Sequence, residues 1–150
     1  MPLLRRHRQP SPEPDATTLF FATDLHGSET CFRKFVAAAR FYGADLLVLG
    51  GDQAYPFATM EEYRNRLVGP FRSVLPWTWR PRWLFAIPGN HDWYDGLASF
   101  VKQFCQGRWV GGWRSTQTRS YFALALPHNW HLWAVDVALG TDIDTGQLDY

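Results

Sequence analysis

Three apolar runs along the chain each stop abruptly at a polar cluster. Leu19-Phe20-Phe21-Ala22-Thr23 runs into Asp24-Leu25-His26-Gly27. Leu46-Leu47-Val48-Leu49 runs into Gly50-Gly51-Asp52, and Trp83-Leu84-Phe85-Ala86-Ile87 runs into Pro88-Gly89-Asn90-His91-Asp92. Short apolar runs bounded by glycine and proline read as buried strands. We therefore expect strands over 17–23, 45–49 and 83–87. The first is apolar on both faces and is expected at the centre of a sheet. Between the first two, Ser28 suits an N-cap, and Phe32, Phe35, Val36 and Ala39 recur at helical spacing up to Gly43. Strand, helix, strand with short links predicts a βαβ unit, hence parallel strands and a right-handed crossover helix.

Further along, Thr59 is expected to cap a helix over 60–67, interrupted at Gly69-Pro70 and resumed to about Leu75. Residues 76–81 form a bulky surface loop. A helix is expected over 96–105, with Leu97, Phe100, Val101 and Phe104 on one buried face. The stretch 106–117 is rich in Gly, Trp and Arg without a period. It reads as a loop or lid, with Arg108, Arg114 and Arg119 as candidate anion contacts. Residues 120–126 and 130–137 predict an antiparallel hairpin around Pro127-His128-Asn129. Residues 144–150 begin a helix, with Thr145 as its candidate cap. His128 and His131 are assigned to structure, and Asp95, Asp136, Asp142 and Asp144 to caps or solvated charges, Asp136 being unusual within an apolar strand. Residues 1–16, with Pro2, Pro10, Pro12 and Pro14, are expected to form a disordered arm, and residues 17–150 one α/β domain.

Composition narrows the functional classes. A hydrophobic fraction of 46% with 19% charged residues is that of a globular chain. The net charge of +1 provides no field that would steer the chain to nucleic acid or to an anionic membrane. The Trp/Arg stretch at 106–119 matches no nucleic-acid-binding motif. No apolar run approaches the roughly 20 residues of a membrane helix, and the basic start lacks the apolar region of a secretory signal. A cytoplasmic location is the expectation. Cys31 and Cys105 read as buried free thiols, with a disulfide between them left open.

The chemistry lies at the three strand ends. In an open parallel sheet, ligands bind beyond the carboxyl ends of the strands, where Asp24, His26, Asp52, Asn90, His91 and Asp92 fall. Carboxylate, imidazole and amide groups together form a ligand set for Mn, Fe, Zn or Mg. Asp-x-His places two donors on one side of a strand exit, and a carboxylate between two such sets can bridge two ions. Glycines before Asp52 and Asn90 allow close approach. Two ions about 3.5–4 Å apart form a general device for phosphoester hydrolysis. His91 stands beside them as a candidate acid for the leaving group, with Asp92 as its candidate partner. Taken singly, Asp-x-His and Gly-Gly-Asp are common loop and turn sequences. The order of all three motifs, each at a strand end, carries the metal-site reading.

Asp24-x-His26, Gly51-Asp52 and Gly89-Asn90-His91-Asp92 resemble the first three motifs of the calcineurin-like metallophosphoesterases. The wider runs Gly50-Gly51-Asp52-Gln53-Ala54-Tyr55-Pro56 and Ile87-Pro88-Gly89-Asn90-His91-Asp92-Trp93-Tyr94-Asp95-Gly96-Leu97 are similar to those of an uncharacterised bacterial and plant subgroup. The resemblance covers roughly residues 18–150. It implies a four-layer α/β/β/α sandwich, of which this chain would form the amino-terminal half, around two divalent ions. It further implies that Asp24 and His26 serve the first ion and that Asp52 bridges. Asn90 would serve the second ion and touch the phosphate, and His91, paired with Asp92, would act as general acid on a phosphoester substrate. The chain departs from the family pattern in lacking the later Gly-His and Gly-His-x-His motifs. The domain is accordingly expected to be incomplete at its C-terminus. The competing expectation is a non-catalytic fragment or a metal-binding or interaction module. An exposed half-core predicts self-association.

Overall fold

The computed structural model describes residues 16–80, 82–137 and 142–150. The arm expected over 1–16 lies, apart from Ala16, outside the described residues. The architecture is mixed α/β around a mostly parallel five-stranded sheet. Strand β1 (Leu19–Thr23) leads through helix α1 (Glu29–Phe41) to β2 (Leu46–Gly50). Helix α2 (Met60–Glu62), a π-helical segment (Tyr63–Val68) and α3 (Gly69–Val74) then follow in one unbroken helical run. Strand β3 (Trp83–Ile87) precedes α4 (Ala98–Phe104), and β4 (Trp109–Val110) pairs with β5 (Trp113–Ser115). A separate hairpin joins β6 (Phe122–Leu126) and β7 (Trp130–Ala134), and α5 (Thr145–Leu148) ends the chain.

The sheet order is β1-β2-β3-β5-β4. β1, β2, β3 and β5 run parallel, and only β4 runs antiparallel. β2 occupies the interior and has four of its five residues buried, whereas β1 forms an edge with Phe21 57% exposed. This corrects the expectation of a central first strand: apolar residues on both faces do not require neighbours on both edges.

β2 shows how the layers are assembled, because a strand sends alternate residues to opposite faces. Leu47 and Leu49 join Phe32, Val36, Phe71 and Phe100 in the core beneath the helices. Leu46 and Val48 face the other way and pack with Phe122 and Ala134 of the hairpin. Phe85 and Phe122 meet across that second interface, with ring centroids 4.9 Å apart. Helices, main sheet and hairpin thus form three layers. Burying one leucine contributes on the order of 1.5–3 kcal/mol, so the two cores together fix the sheet that delivers the motifs.

The local signals explain most elements. Ser28 accepts from the Cys31 amide and Thr59 from that of Glu62, as their N-cap positions predict. Gly43 follows α1 with φ +69°, a left-handed stop. Gly69-Pro70 does not interrupt its helix. Proline removes a donor and crowds the preceding turn. The helix widens by one π-turn there, in which the Gly69 N–H reaches the Arg64 carbonyl. On α4, Val101 is 39% exposed, in contrast to the expectation of a buried position. At α5 the cap is Asp144, one residue before the expected Thr145.

The stretch 106–117 is not a lid. Gly111-Gly112 turns a tight hairpin between β4 and β5, and Trp113 is fully buried beneath it. A Cβ on Gly111 would lie 2.8 Å from the Leu75 carbonyl oxygen, so only glycine fits. Gln117 then replaces a strand partner for β3. The Ala86 N–H donates to its Oε1 at 2.7 Å, and its Nε2 donates to the Ala86 carbonyl at 2.9 Å. The cysteines are free, Cys31 exposed rather than buried and Cys105 half-buried; burial pushes the Cys105 thiol up to about 11. Asp136 is buried rather than solvated and accepts from Trp93 Nε1 at 2.9 Å. No helix among the described residues is long and apolar enough to cross a membrane.

Candidate metal centre

The carboxyl ends of β1, β2 and β3 lie side by side because the strands are parallel and in register, Thr23 opposite Gly50 and Gly50 opposite Ile87. Backbone bonds continue past the strands and tie the exits together. The Gly51 N–H donates to the Ile87 carbonyl at 2.8 Å, the Asp24 N–H to that of Gly51 at 3.3 Å, and the His26 N–H to that of Asp52 at 3.0 Å. The chain leaves the sheet here in an uncommon conformation. Asp24, His26 and Asp52 have φ values of 53°, 50° and 46°, all in the left-handed region that non-glycine residues seldom occupy. Such strain clusters at sites where geometry outweighs local preference.

The result is convergence. Donor atoms of Asp24, His26 and Asp52 all lie within 4.8 Å of one another. His26 Nε2 is 3.4 Å from Asp52 Oδ2 and 4.0 Å from Asp24 Oδ1. Two ligands on one ion at about 2.1 Å each can be at most about 4.2 Å apart, and both distances from His26 fall inside that limit. Asp52 is buried, while Asp24 and His26 are open to solvent on the approach side. Gly89 passes directly over Asp52. A Cβ there would lie 2.1 Å from Asp52 Oδ1 and 2.4 Å from its backbone nitrogen, so no side chain is tolerated.

The third motif divides its work. The His91 N–H donates to Asp52 Oδ1 at 3.0 Å and orients that carboxylate. The His91 ring stands at the same site, 6.2 Å from the His26 ring between centroids. Its Nδ1 lies 2.8 Å from the Pro56 carbonyl. A carbonyl only accepts, so Nδ1 carries the hydrogen and Nε2 is the nitrogen left for other chemistry. Asn90 is exposed at the same turn, with Nδ2 donating to the Tyr94 hydroxyl at 3.4 Å.

Asp92 does not pair with His91, contrary to the sequence expectation. It is fully buried and bonded to other groups. Oδ1 accepts from the Tyr63 hydroxyl at 2.5 Å, and Oδ2 from the Gly89 and Gln53 amides at 2.9 and 3.3 Å. The turn needs this anchor, because the short connection exposes backbone donors that no strand neighbour satisfies. Burial pushes the Asp92 carboxyl up to about 6, against the opposing pull of those three hydrogen bonds. Burial, then the adjacent Asp92 carboxylate, holds the Tyr63 phenol well above its ordinary range.

Two residues of the site were not singled out from sequence. Tyr55 packs its ring against His91 at 4.6 Å and against His26 at 5.6 Å, and Tyr94 meets His91 at 4.9 Å. Both lie within three residues of a motif residue, the one available signal. Of the arginines expected as anion contacts, Arg119 donates to the Tyr121 hydroxyl and Arg108 lines a hollow formed by other elements. Arg114 is exposed on β5. None belongs to the carboxylate–imidazole cluster. Among the described residues that cluster is the single group of its kind.

The family model for calcineurin-like phosphoesterases matches residues 17–137, which include every motif at the strand ends. No curated protein and no solved structure matches the chain.

Proposed function

The chain belongs to the calcineurin-like phosphoesterase family, and we propose that it is built to hydrolyse phosphoesters with two divalent metal ions. The observation that carries this reading is the convergence of Asp24, His26 and Asp52 within 4.8 Å on three left-handed backbones. In it, Asp24, His26 and Asp52 would hold one ion, and Asp52 and Asn90 would hold the second, with Asn90 also meeting the substrate phosphate. Bound there, divalent ions would supply Lewis-acid polarisation of the phosphoryl group and a lowered pKa for the attacking water.

The remaining work falls to the protein. The amide of His91 holds Asp52 in one orientation, so a ligand does not have to be ordered when a cation arrives. The Pro56 carbonyl fixes the His91 ring through Nδ1, so Nε2 holds the transferable proton of the imidazolium. As the bond between phosphorus and the leaving oxygen breaks, that proton passes from Nε2 to the oxygen, leaving neutral imidazole. Asp92 is a positioning residue: it pins the Gly89 and Gln53 amides on either side of the site and touches no substrate.

A second reading has its own support. In this scheme the second ion would have only Asp52 and Asn90 as protein ligands, so the chain also fits a non-catalytic, metal-binding module. One experiment separates the two. Hydrolysis of an aryl phosphodiester is measured with and without Mn²⁺, beside Asp52→Asn and alongside calorimetric titration of Mn²⁺. Metal-dependent turnover lost in the variant supports the hydrolase. Tight Mn²⁺ binding without turnover supports the module, and turnover that persists in Asp52→Asn removes the proposed mechanism.

A further inference from the structure

The arginines of this chain are unequally provided with partners. Arg33 and Arg66 pair with Glu29 and Glu62. The guanidinium groups of Arg64, Arg72 and Arg108 have no partner among the described residues, yet all three line one hollow of about 510 Å³. It lies between the π-helical segment with α3 and the corner from α4 to β4. No carboxylate lines it. Three like charges around one hollow repel each other unless an anion or solvent screens them.

The helix is shaped to assemble them. Met60, Arg64, Val68 and Arg72 stand four residues apart and border the same hollow. At 3.6 residues per turn, each step of four rotates about 40° further round an α-helix, so this row would wander by about 120°. The widened turn, with the Gly69 N–H reaching back to the Arg64 carbonyl, cancels much of that drift. π-turns of this kind are frequently found at functional sites.

A second observation is independent of the arginines. Gln103 of α4 lines the hollow, is only 3% exposed, and its Nε2 has no acceptor. A buried donor without an acceptor is unfavourable and rare in folded chains. The hollow thus gathers three guanidinium groups and one buried amide donor that has no acceptor. Trp109, 46% exposed, offers a flat apolar wall beside them.

We propose that this hollow binds a small organic polyphosphate carrying an aromatic ring, of nucleoside diphosphate size and charge. One terminal phosphate brings about 1.5–2 negative charges, too little for three guanidinium groups, and the second, singly ionised phosphoryl group of an organic diphosphate brings the total close to theirs. Planar guanidinium groups grip phosphoryl oxygens through paired hydrogen bonds. The Gln103 amide donates to a further oxygen, and Trp109 stacks on the ring. The volume falls within the roughly 300–1,000 Å³ of small-molecule sites. None of Asp24, His26, Asp52 or Asn90 lines the hollow, so the proposal stands apart from the hydrolase reading.

The test is calorimetric titration of ADP into the 150-residue chain in EDTA, with tryptophan fluorescence read in parallel. ADP and pyrophosphate are expected to bind saturably, and adenosine not at all. The Arg64→Gln/Arg72→Gln double variant should weaken ADP by at least about tenfold. Both arginines are exposed, and an unaltered urea midpoint shows that the variant is folded. Gln103→Leu, which deletes the orphaned donor, should weaken binding without loss of stability. Trp109→Ala should weaken ADP but not pyrophosphate, and Asp52→Asn should change neither. The proposal is overturned by absence of binding at millimolar ADP, by binding that survives the double arginine variant, or by loss confined to Asp52→Asn. Preference for a single-stranded oligonucleotide over ADP would likewise overturn it and reassign the surface.

Discussion

The backbone N–H of His91 donates to Oδ1 of Asp52 at 3.0 Å, linking two motifs 39 residues apart in sequence. One carboxylate oxygen is thereby held by the third strand exit, while Oδ2 faces His26 at 3.4 Å. The proposed metal ligand in the second motif is oriented by the peptide bond of the residue proposed as acid in the third. The two roles are mechanically coupled, and changes to the turn between them should be felt at the metal.

Gly89 tests that coupling most directly. Gly89→Ala places a Cβ 2.1 Å from Asp52 Oδ1, so either the turn or the carboxylate must move. We expect Mn²⁺ affinity, measured by calorimetry, to fall by about 10–100-fold, the range for loss of a group that orients a ligand. Affinity within twofold of the parent would show that Asp52 is not held as described.

The fixed His91 tautomer predicts a dependence on the leaving group. His91→Ala should lower kcat by about 10²–10⁴ for alkyl phosphoesters, whose alkoxides need a proton. For p-nitrophenyl esters, whose leaving group departs as a stable anion, the loss should be much smaller. Equal losses for both classes would assign His91 to binding rather than to proton transfer.

Tyr63→Phe keeps the buried ring and deletes the hydroxyl that donates to Asp92 at 2.5 Å. The carboxylate then keeps only its two amide donors. Loss of one such donor to a buried acceptor costs about 1–3 kcal/mol, to be read from urea unfolding. An unchanged midpoint would mean that Asp92 is satisfied without the phenol.

Asp136 supplies the pH prediction. Burial raises its carboxyl above the ordinary range, outweighing hydrogen bonds from Ser120 and Trp93. Folding therefore favours its protonated form. This contribution to stability is fully present below the unfolded-state pKa of about 3.9 and is lost as pH rises through the higher folded value. Asp136→Asn keeps an oxygen acceptor for Trp93 and does not ionise. The urea midpoint of the variant relative to the parent should rise between pH 4 and pH 8. A relative midpoint that falls over that interval would reverse the assigned sign.

Legibility in the sequence followed the range of the forces involved. β3 was predicted with its observed limits, because proline and glycine bound an apolar run too short for a helix. The caps at Ser28 and Thr59 were legible for a similar reason: each acts within three residues. The 106–117 hairpin was missed although Gly111-Gly112 between two short strands is a turn signature. Its flanking strands have only two and three residues, and Trp113 gains its burial from packing on distant helices. Cys31 was misplaced because a helix has an outer face at every fourth residue, and apolar neighbours in sequence need not be neighbours in space.

By itself the sequence determined the strand ends, the residue types that stand on them and the resemblance they carry. These follow from local hydrophobicity, turn chemistry and motif order. Tertiary structure alone decided the edge position of β1, the inward-facing carboxylate of Asp92, the Pro56 bond that selects the His91 tautomer, and the shared hollow of Arg64, Arg72 and Arg108. Each joins groups from different elements. Which donor meets which acceptor there depends on how layers pack and where a helix widens, and no spacing along one segment encodes that.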